Sequence, residues 1–502
     1  MVGENSTVAA GGLTAHAVRA RTMKSVAWRM FSQTMLQLSR VLVAVILARL
    51  LTPTEYGVAG MVLVFSGFVL PFADLGLGAA LVQRPSLTEA DLSTVFWVSV
   101  AGGAIFTACG LALASPVAHF YGQPQVKPLF AALSLGFLIV SFATVQRSLL
   151  VREINFRSLE LRNLAGTLAG AVAAVVVAAR GYGPWALIIQ FLVLEVVSTA
   201  LMWVFSPWRP RFIFSRGSAR DLGGFGLKAI GARILSDVRQ NGDKLVIGRI
   251  LGSVPLGVYL VANNIVLTPF NRIVTPLQDV LLPAFSRLQD GPRAIGLAWL
   301  RVNRVLAAVS MPAMLGLVVV APDFVPLVLG SKWHAAVPII QLLGWVGLLQ
   351  ALQGLNTAAL IASDRAGKLF VVTALIVVIS LGALLIGLPW GVKGVATAYA
   401  VANTIVFPAY TWYLSRDLAV SLREFGRSLV GVSLATAVMI GATYLARRGL
   451  LTAGVSLAPR FLLEVIVGAL VYAGASLVTS RELIREIRGI VAARRAPQPA
   501  AS

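Results

Sequence analysis

The chain has 502 residues, 58% of them hydrophobic and only 12% charged, with a mean hydropathy of +0.84 and a formal net charge of +22. Soluble proteins carry about 25% charged residues, so this chain lacks the polar groups to cover a water-exposed surface of its length. The basic excess does not mark a nucleic-acid binder, because Lys and Arg are scattered between apolar runs instead of gathered on one soluble face.

The first 24 residues are polar, rich in Ala and Gly and weakly basic, and read as a disordered cytoplasmic tail. Apolar runs near the ~20 residues that a helix needs to cross the hydrocarbon core follow as far as residue 478. Backbone polar groups in lipid must be bonded within the segment, so these runs read as helices. Spans are predicted at 25–49, 58–82, 92–115, 128–149, 163–179, 184–205, 225–250, 256–282, 302–320, 337–361, 369–388, 392–414, 428–446 and 461–478. The first run holds Arg29 and Arg40 and has no convincing cleavage site, so it is a retained span. The single cysteine, Cys109, has no partner for an internal disulfide and reads as a small packing residue. The longest connections, 206–224 and 283–301, are short and basic, and the tail after Arg481 is expected in water.

With a cytoplasmic N-terminus, the inner side carries roughly 26 Lys and Arg against about 9 outside, and both termini lie inside. Arg447 and Arg448 break that pattern, which makes the last pair of spans the weakest part of the topology. The chain also repeats. Arg49-Leu50-Leu51 with Tyr56-Gly57-Val58 resembles Arg249-Ile250-Leu251 with Gly257-Val258-Tyr259, at an offset of 200. Gly181-Tyr182-Gly183-Pro184-Trp185-Ala186 resembles Gly391-Val392-Lys393-Gly394-Val395-Ala396, at an offset of 210. Each period holds six spans, and an even number preserves orientation, so the repeats are parallel. The expected architecture is an all-α integral membrane protein of about fourteen transmembrane helices: two six-helix lobes and two additional C-terminal helices. Its parts are an N-lobe at 25–206, a basic cytoplasmic linker at 207–224, a C-lobe at 225–415, two final spans within 416–480 and a cytoplasmic tail at 481–502.

Charges inside the spans cost roughly 2.5–3.5 kcal/mol each at mid-helix. The seventh span holds Arg233, Asp237, Arg239, Asp243 and Lys244, a total on the order of 15 kcal/mol, so it lines a wet cavity or lies on the membrane surface. Parity favours the span, since its loss would reverse the charge bias of every later loop. At 100° per residue, Arg233, Asp237, Gln240, Asn241 and Lys244 share one face, as do Arg29, Gln33, Gln37 and Arg40 on the first span. The eighth span adds Asn264, Thr268, Asn271, Thr275 and Gln278, with Pro269 and Pro276 as kinks, and Arg272 beside Asn271. The substrate-cavity candidates are thus Arg29, Gln33, Gln37, Arg40, Arg233, Asp237, Asn241, Lys244, Asn264, Asn271 and Arg272. Arginines fork onto phosphate oxygens and amides serve hydroxyls, so these stripes suit phosphate and sugar, whereas cationic drugs want acidic and aromatic groups. The bland alternative is helix-to-helix bonding. Asp74, Asp237 and Glu195 are candidates for ion coupling, and Glu464 is a further lone carboxylate. No catalytic set, histidine relay or metal cluster is expected, and no cofactor, with sodium or proton coupling left open.

The segments 47–57 (LARLLTPTEYG), 72–84 (FADLGLGAALVQR) and 146–157 (QRSLLVREINFR) resemble the polysaccharide transporters of the MOP exporter superfamily, the Wzx-type flippases of lipid-linked oligosaccharides. The resemblance implies a bacterial inner-membrane exporter whose partner is undecaprenyl-diphosphate-linked oligosaccharide, working by alternating access of two lobes around a cationic cavity. It implies membrane lipids and other polysaccharide-assembly proteins as further partners, and it assigns no site residue. A MATE-like multidrug antiporter, a peptidoglycan-precursor (lipid II) flippase and a non-transporting scaffold are the other readings.

Overall fold

The computed structural model describes residues 39–84, 86–153, 155–217, 241–287, 291–363 and 366–480. All regular structure among them is helical. In chain order the helices are α1 (39–50), α2 (Pro53–Leu63), α3 (Ser66–Asp74), α4 (Leu77–Gln83), α5 (Glu89–Tyr121), α6 (Val126–Ser141), α7 (Thr144–Arg152), α8 (Phe156–Ala179) and α9 (Trp185–Phe205). Then come α10 (241–250), α11 (Ser253–Ser286), α12 (Pro292–Phe324), α13 (Ala336–Gln353), α14 (Asn356–Ala362), α15 (Ala366–Gly387), α16 (Gly391–Asp417), α17 (Leu422–Thr452) and α18 (Leu457–Thr479). Among the described residues eight helices are long and apolar enough to cross a membrane, or nine if α6 and α7 count as one bent span. The chain is a multi-pass membrane protein.

Several predicted runs are subdivided. Residues 58–82 fall on α2, α3 and α4, with a break at Leu75 and Gly76, both left-handed at φ 51° and 68°. Glycine takes that conformation freely, whereas Leu75 does so at a cost. Residues 128–149 become α6 and α7, which meet at 48°. The segment 283–301, expected as a connection, is mostly helix: α11 runs to Ser286 and α12 begins at Pro292. Cys109, expected to pack, is exposed.

The chain divides into two compact units, one taking 1–44, 65–115 and 128–235, the other 45–64, 116–127 and 236–502. In the first, α8 packs along α9 and α4 along α7. Arg152, at the end of α7, donates to the carbonyls of Leu81 and Arg84, which α4 leaves without intrahelical donors. Phe96 lies at the centre of an aromatic cluster with Trp97, Trp203 and Trp208.

In the second unit, α2 starts with a capping box: Thr52 accepts from the Glu55 amide, and Glu55 accepts from the Thr52 amide at 2.7 Å. The ends of α1 and α12 cap each other. Arg49 donates to Val328 O at 2.8 Å and to Leu327 O, while Lys332 and Trp333 donate to Arg49 O and Ala48 O at 2.8 and 2.7 Å. Helices α2 and α11 cross at two glycines. A Cβ on Gly57 would strike the Ser253 carbonyl, and one on Gly257 would strike the Pro53 carbonyl. The four residues form two pairs at the repeat offset of 200, and the contact is reciprocal. Around Trp299, which stacks on Phe425 at 5.0 Å, the packed faces of α12, α13, α14, α16 and α17 form the unit's largest described core.

Candidate functional site

The first unit contains an open cavity of roughly 330 Å³ lined by α3, α4, α6, α7, α8 and α9. Helix α7 contributes Thr144, Arg147, Ser148 and Val151, the i, i+3, i+4, i+7 face of a helix. Helix α9 contributes Phe191, Glu195 and Thr199, a stripe at steps of four. Arg162 enters from α8, Ser66 and Val69 from α3, and Gly78 and Val82 from α4.

The cavity holds three charged side chains, Arg147, Arg162 and Glu195, all half-buried. They act on one another through space, yet no oxygen of Glu195 comes within ion-pair distance of either guanidinium among the described residues. Among the described residues Arg162 bonds only to its neighbour, Asn163 Oδ1 at 3.1 Å, and its Nε has no partner there. The buried hydroxyl of Thr144 is also without a hydrogen-bond partner among the described residues. Orphaned buried polar groups cost about 1–3 kcal/mol each. Such a surplus of donors over acceptors, with a net charge of +1 from two arginines and one glutamate, suits an anionic oxygen-rich group.

Of the sequence candidates, only Glu195 lies in this cavity. Arg29, Gln33, Gln37, Arg233 and Asp237 lie outside the described residues. Arg40 is half-buried on α1. In the second unit, Lys244 Nζ donates to Asn241 Oδ1 at 2.7 Å, and Asp243 accepts from Tyr259 Oη at 2.7 Å. These two predicted polar residues therefore engage each other on α10. Asn264 is exposed on α11 and hydrogen-bonded to Tyr56. Asn271 and Arg272 also belong to α11, and Asp74 ends α3. Neither Arg147 nor Arg162 is among the sequence candidates. The 144/147/148/151 and 191/195/199 spacings were the available signal.

A second polar cluster corrects the reading of Glu464 as a lone carboxylate. In the second unit Asp323 on α12 receives Arg460 of α18 through two bonds, at 2.6 and 2.9 Å, and Arg447 of α17 at 3.4 Å. Glu464 is fully buried with Arg447 Nε 3.7 Å away. Two arginines and two carboxylates make the cluster neutral overall.

The family described as "Polysaccharide biosynthesis protein" matches residues 46–338, more than half of the chain. The chain belongs to this family. Its member here is 28% identical over 464 residues to the teichuronic acid biosynthesis protein TuaB of Bacillus subtilis (strain 168), covering 90% of this chain and 94% of that one. It is also 28% identical to the succinoglycan biosynthesis transport protein ExoT of Rhizobium meliloti (strain 1021), covering 95% and 97%. Among solved structures it resembles lipid II flippase MurJ in an inward closed conformation, with a TM-score of 0.71 and 16% identity over 91% of this chain and 99% of that one. The resemblance to the polysaccharide transporters therefore holds, and the chain shares the fold of the MurJ structure.

Proposed function

We propose that this family member carries undecaprenyl-diphosphate-linked oligosaccharide units across the bacterial inner membrane for surface or exopolysaccharide assembly. In this reading about fourteen spans form two parallel six-helix repeats and a C-terminal pair, with both termini cytoplasmic. Transport proceeds by alternating access. The observation that carries the proposal is the pair Arg147 and Arg162 in the cavity of the first unit, neither with an ion-pair partner among the described residues.

Chemistry and size both support it. Two guanidinium forks match the oxygens of a diphosphate in charge and geometry. The cavity, roughly 330 Å³, has room for a diphosphate. Glu195 would be the coupling group: ionised, it lowers through space the positive potential that the two arginines present to phosphate, and with a proton or sodium bound it no longer does. The polar candidates on α1, α10 and α11, with Arg29, Gln33, Gln37, Arg233 and Asp237, would serve the sugar hydroxyls. A cation-binding antiporter would present the opposite charge balance in this cavity.

The test is lipid-linked oligosaccharide, resolved by membrane leaflet, in cells lacking the chain. Wild type should clear cytoplasm-facing repeat units, and Arg147→Ala and Arg162→Ala should each lower clearance at least tenfold at equal membrane abundance, since a charge-assisted bond contributes about 1.5–3 kcal/mol. Lys244→Ala probes the second polar stripe in the same assay. If no such lipid accumulates and drug tolerance falls instead, the substrate is a cationic drug and the proposal is wrong.

A further inference from the structure

The segment after α9, expected as a basic linker, is folded as a strap along the first turns of α5, within the first unit. Trp208 Nε1 donates to Glu89 at 3.1 Å, the Arg211 amide to Ser93 Oγ at 3.2 Å, and the Ser215 amide to Thr94 Oγ1 at 2.9 Å. Trp97 Nε1 returns a bond to Arg211 O at 2.9 Å, and the Trp97 ring stacks on Phe212 at 4.9 Å. Arg209 turns back onto the end of α9, donating to Ser206 O and Trp203 O at 2.6 and 2.9 Å.

So fixed, the strap turns its apolar side chains outward. Phe212 is 94% exposed, Phe214 59% and Ile213 39%. Arg211 and Arg216 flank them, both exposed, and neither guanidinium has a hydrogen-bond or ion-pair partner among the described residues. Water is a poor medium for three adjacent apolar side chains held on a fixed backbone. The strap's position names a better one. Helix α9 is apolar and has 21 residues, a length that just spans the hydrocarbon core, so the residues directly after Phe205 lie at the head-group level. Apolar rings with arginines are the side chains that this zone accommodates, the rings among the upper acyl chains and the guanidiniums on phosphates.

We propose that residues 208–216 form a membrane-interface anchor that binds anionic phospholipid head groups, with Phe212, Ile213 and Phe214 inserted and Arg211 and Arg216 on the phosphates. A bilayer fits this surface better than a soluble protein partner because the span that precedes the strap already delivers it there. The anchor is independent of the cavity and its substrate.

The test uses the full chain with Cys109→Ala and Phe214→Cys, labelled at the new thiol with an environment-sensitive fluorophore. It is reconstituted into phosphatidylcholine vesicles with or without phosphatidylglycerol. The label should be quenched by lipids spin-labelled near the head group and shielded from aqueous iodide. Adding Arg211→Gln and Arg216→Gln should weaken the preference for phosphatidylglycerol about fivefold per arginine, and high salt should do the same. Native mass spectrometry of the same arginine variants, without the label, should show fewer retained phosphatidylglycerol molecules than wild type. A label open to iodide in both vesicles overturns the anchor and leaves the patch to a soluble partner. A lipid-inserted label with no dependence on phosphatidylglycerol or on the arginines overturns the anionic specificity.

Discussion

Arg447 and Arg448 are the charges that break the positive-inside pattern, and the side-chain geometry accounts for the first of them. Arg447 is shared by Asp323 and Glu464, which balance its charge within the cluster, while Arg448 lies over the Tyr444 ring at 5.0 Å. Asp323 is the centre of the cluster, because it alone accepts from both arginines. Asp323→Asn would leave two guanidiniums facing a single carboxylate, and it should cost about 3–5 kcal/mol, read as a lowered thermal midpoint of the purified protein. Glu464→Gln keeps the Asp323–Arg460 fork and should cost no more than about 1 kcal/mol. Equal effects would show that the fork is not what holds α12, α17 and α18 together. Only the Arg460 and Glu464 pair, four positions apart on α18, was legible beforehand; Asp323 lies 124 positions before Arg447 and 137 before Arg460, beyond any local pattern. The cavity was half legible: the stripe on α9 follows from spacing, but α7 is a nine-residue helix that reads from sequence as the end of a longer span.

Helix breaks decide what reaches the cavity. The turn at Leu75 and Gly76 and the 48° bend between α6 and α7 divide two predicted spans, and the short pieces that result, α4 and α7, bring Gly78, Thr144 and Arg147 to one place. The first break has a sequence sign in Gly76. The second, at Phe142 and Ala143, has neither glycine nor proline, so hydrophobicity alone reads across it. Glycines within helices differ sharply in what they do. Gly441 on α17 has nothing within 4 Å of a built Cβ, whereas Gly57 on α2 lies against backbone. Gly441→Ala should therefore stabilise by up to about 1 kcal/mol through helix propensity. Gly57→Ala should destabilise by about 1–3 kcal/mol by forcing α2 from α11. Thermal unfolding of the two variants side by side checks the sign as well as the size.

For the molecule as a whole, composition was decisive for class and silent on count. An all-helical membrane protein follows from 12% charge and a mean hydropathy of +0.84. The number of crossings does not, since apolar runs and helices are not in one-to-one correspondence here. Orientation is an experimental matter with a sharp answer. A C-terminal green fluorescent protein should be bright and a C-terminal alkaline phosphatase silent, as both termini inside requires. The opposite pair of readings would place the tail outside and overturn the arrangement with both termini in the cytoplasm.

The crossing of α2 and α11 ties two distant positions into one unit of inheritance. A methyl group at Gly57 or at Gly257 meets the carbonyl of the opposite helix, so either gain is relieved by the same separation of the two backbones. Once one substitution has opened the gap, the second adds little, and Gly57→Ala with Gly257→Ala should cost clearly less than the sum of the single changes. A lineage that keeps one glycine is thereby under pressure to keep the other, and a lineage that loses one is free to lose both. The first half of the repeat and the second then drift as a pair at this point, long after the rest of their sequences have ceased to resemble each other.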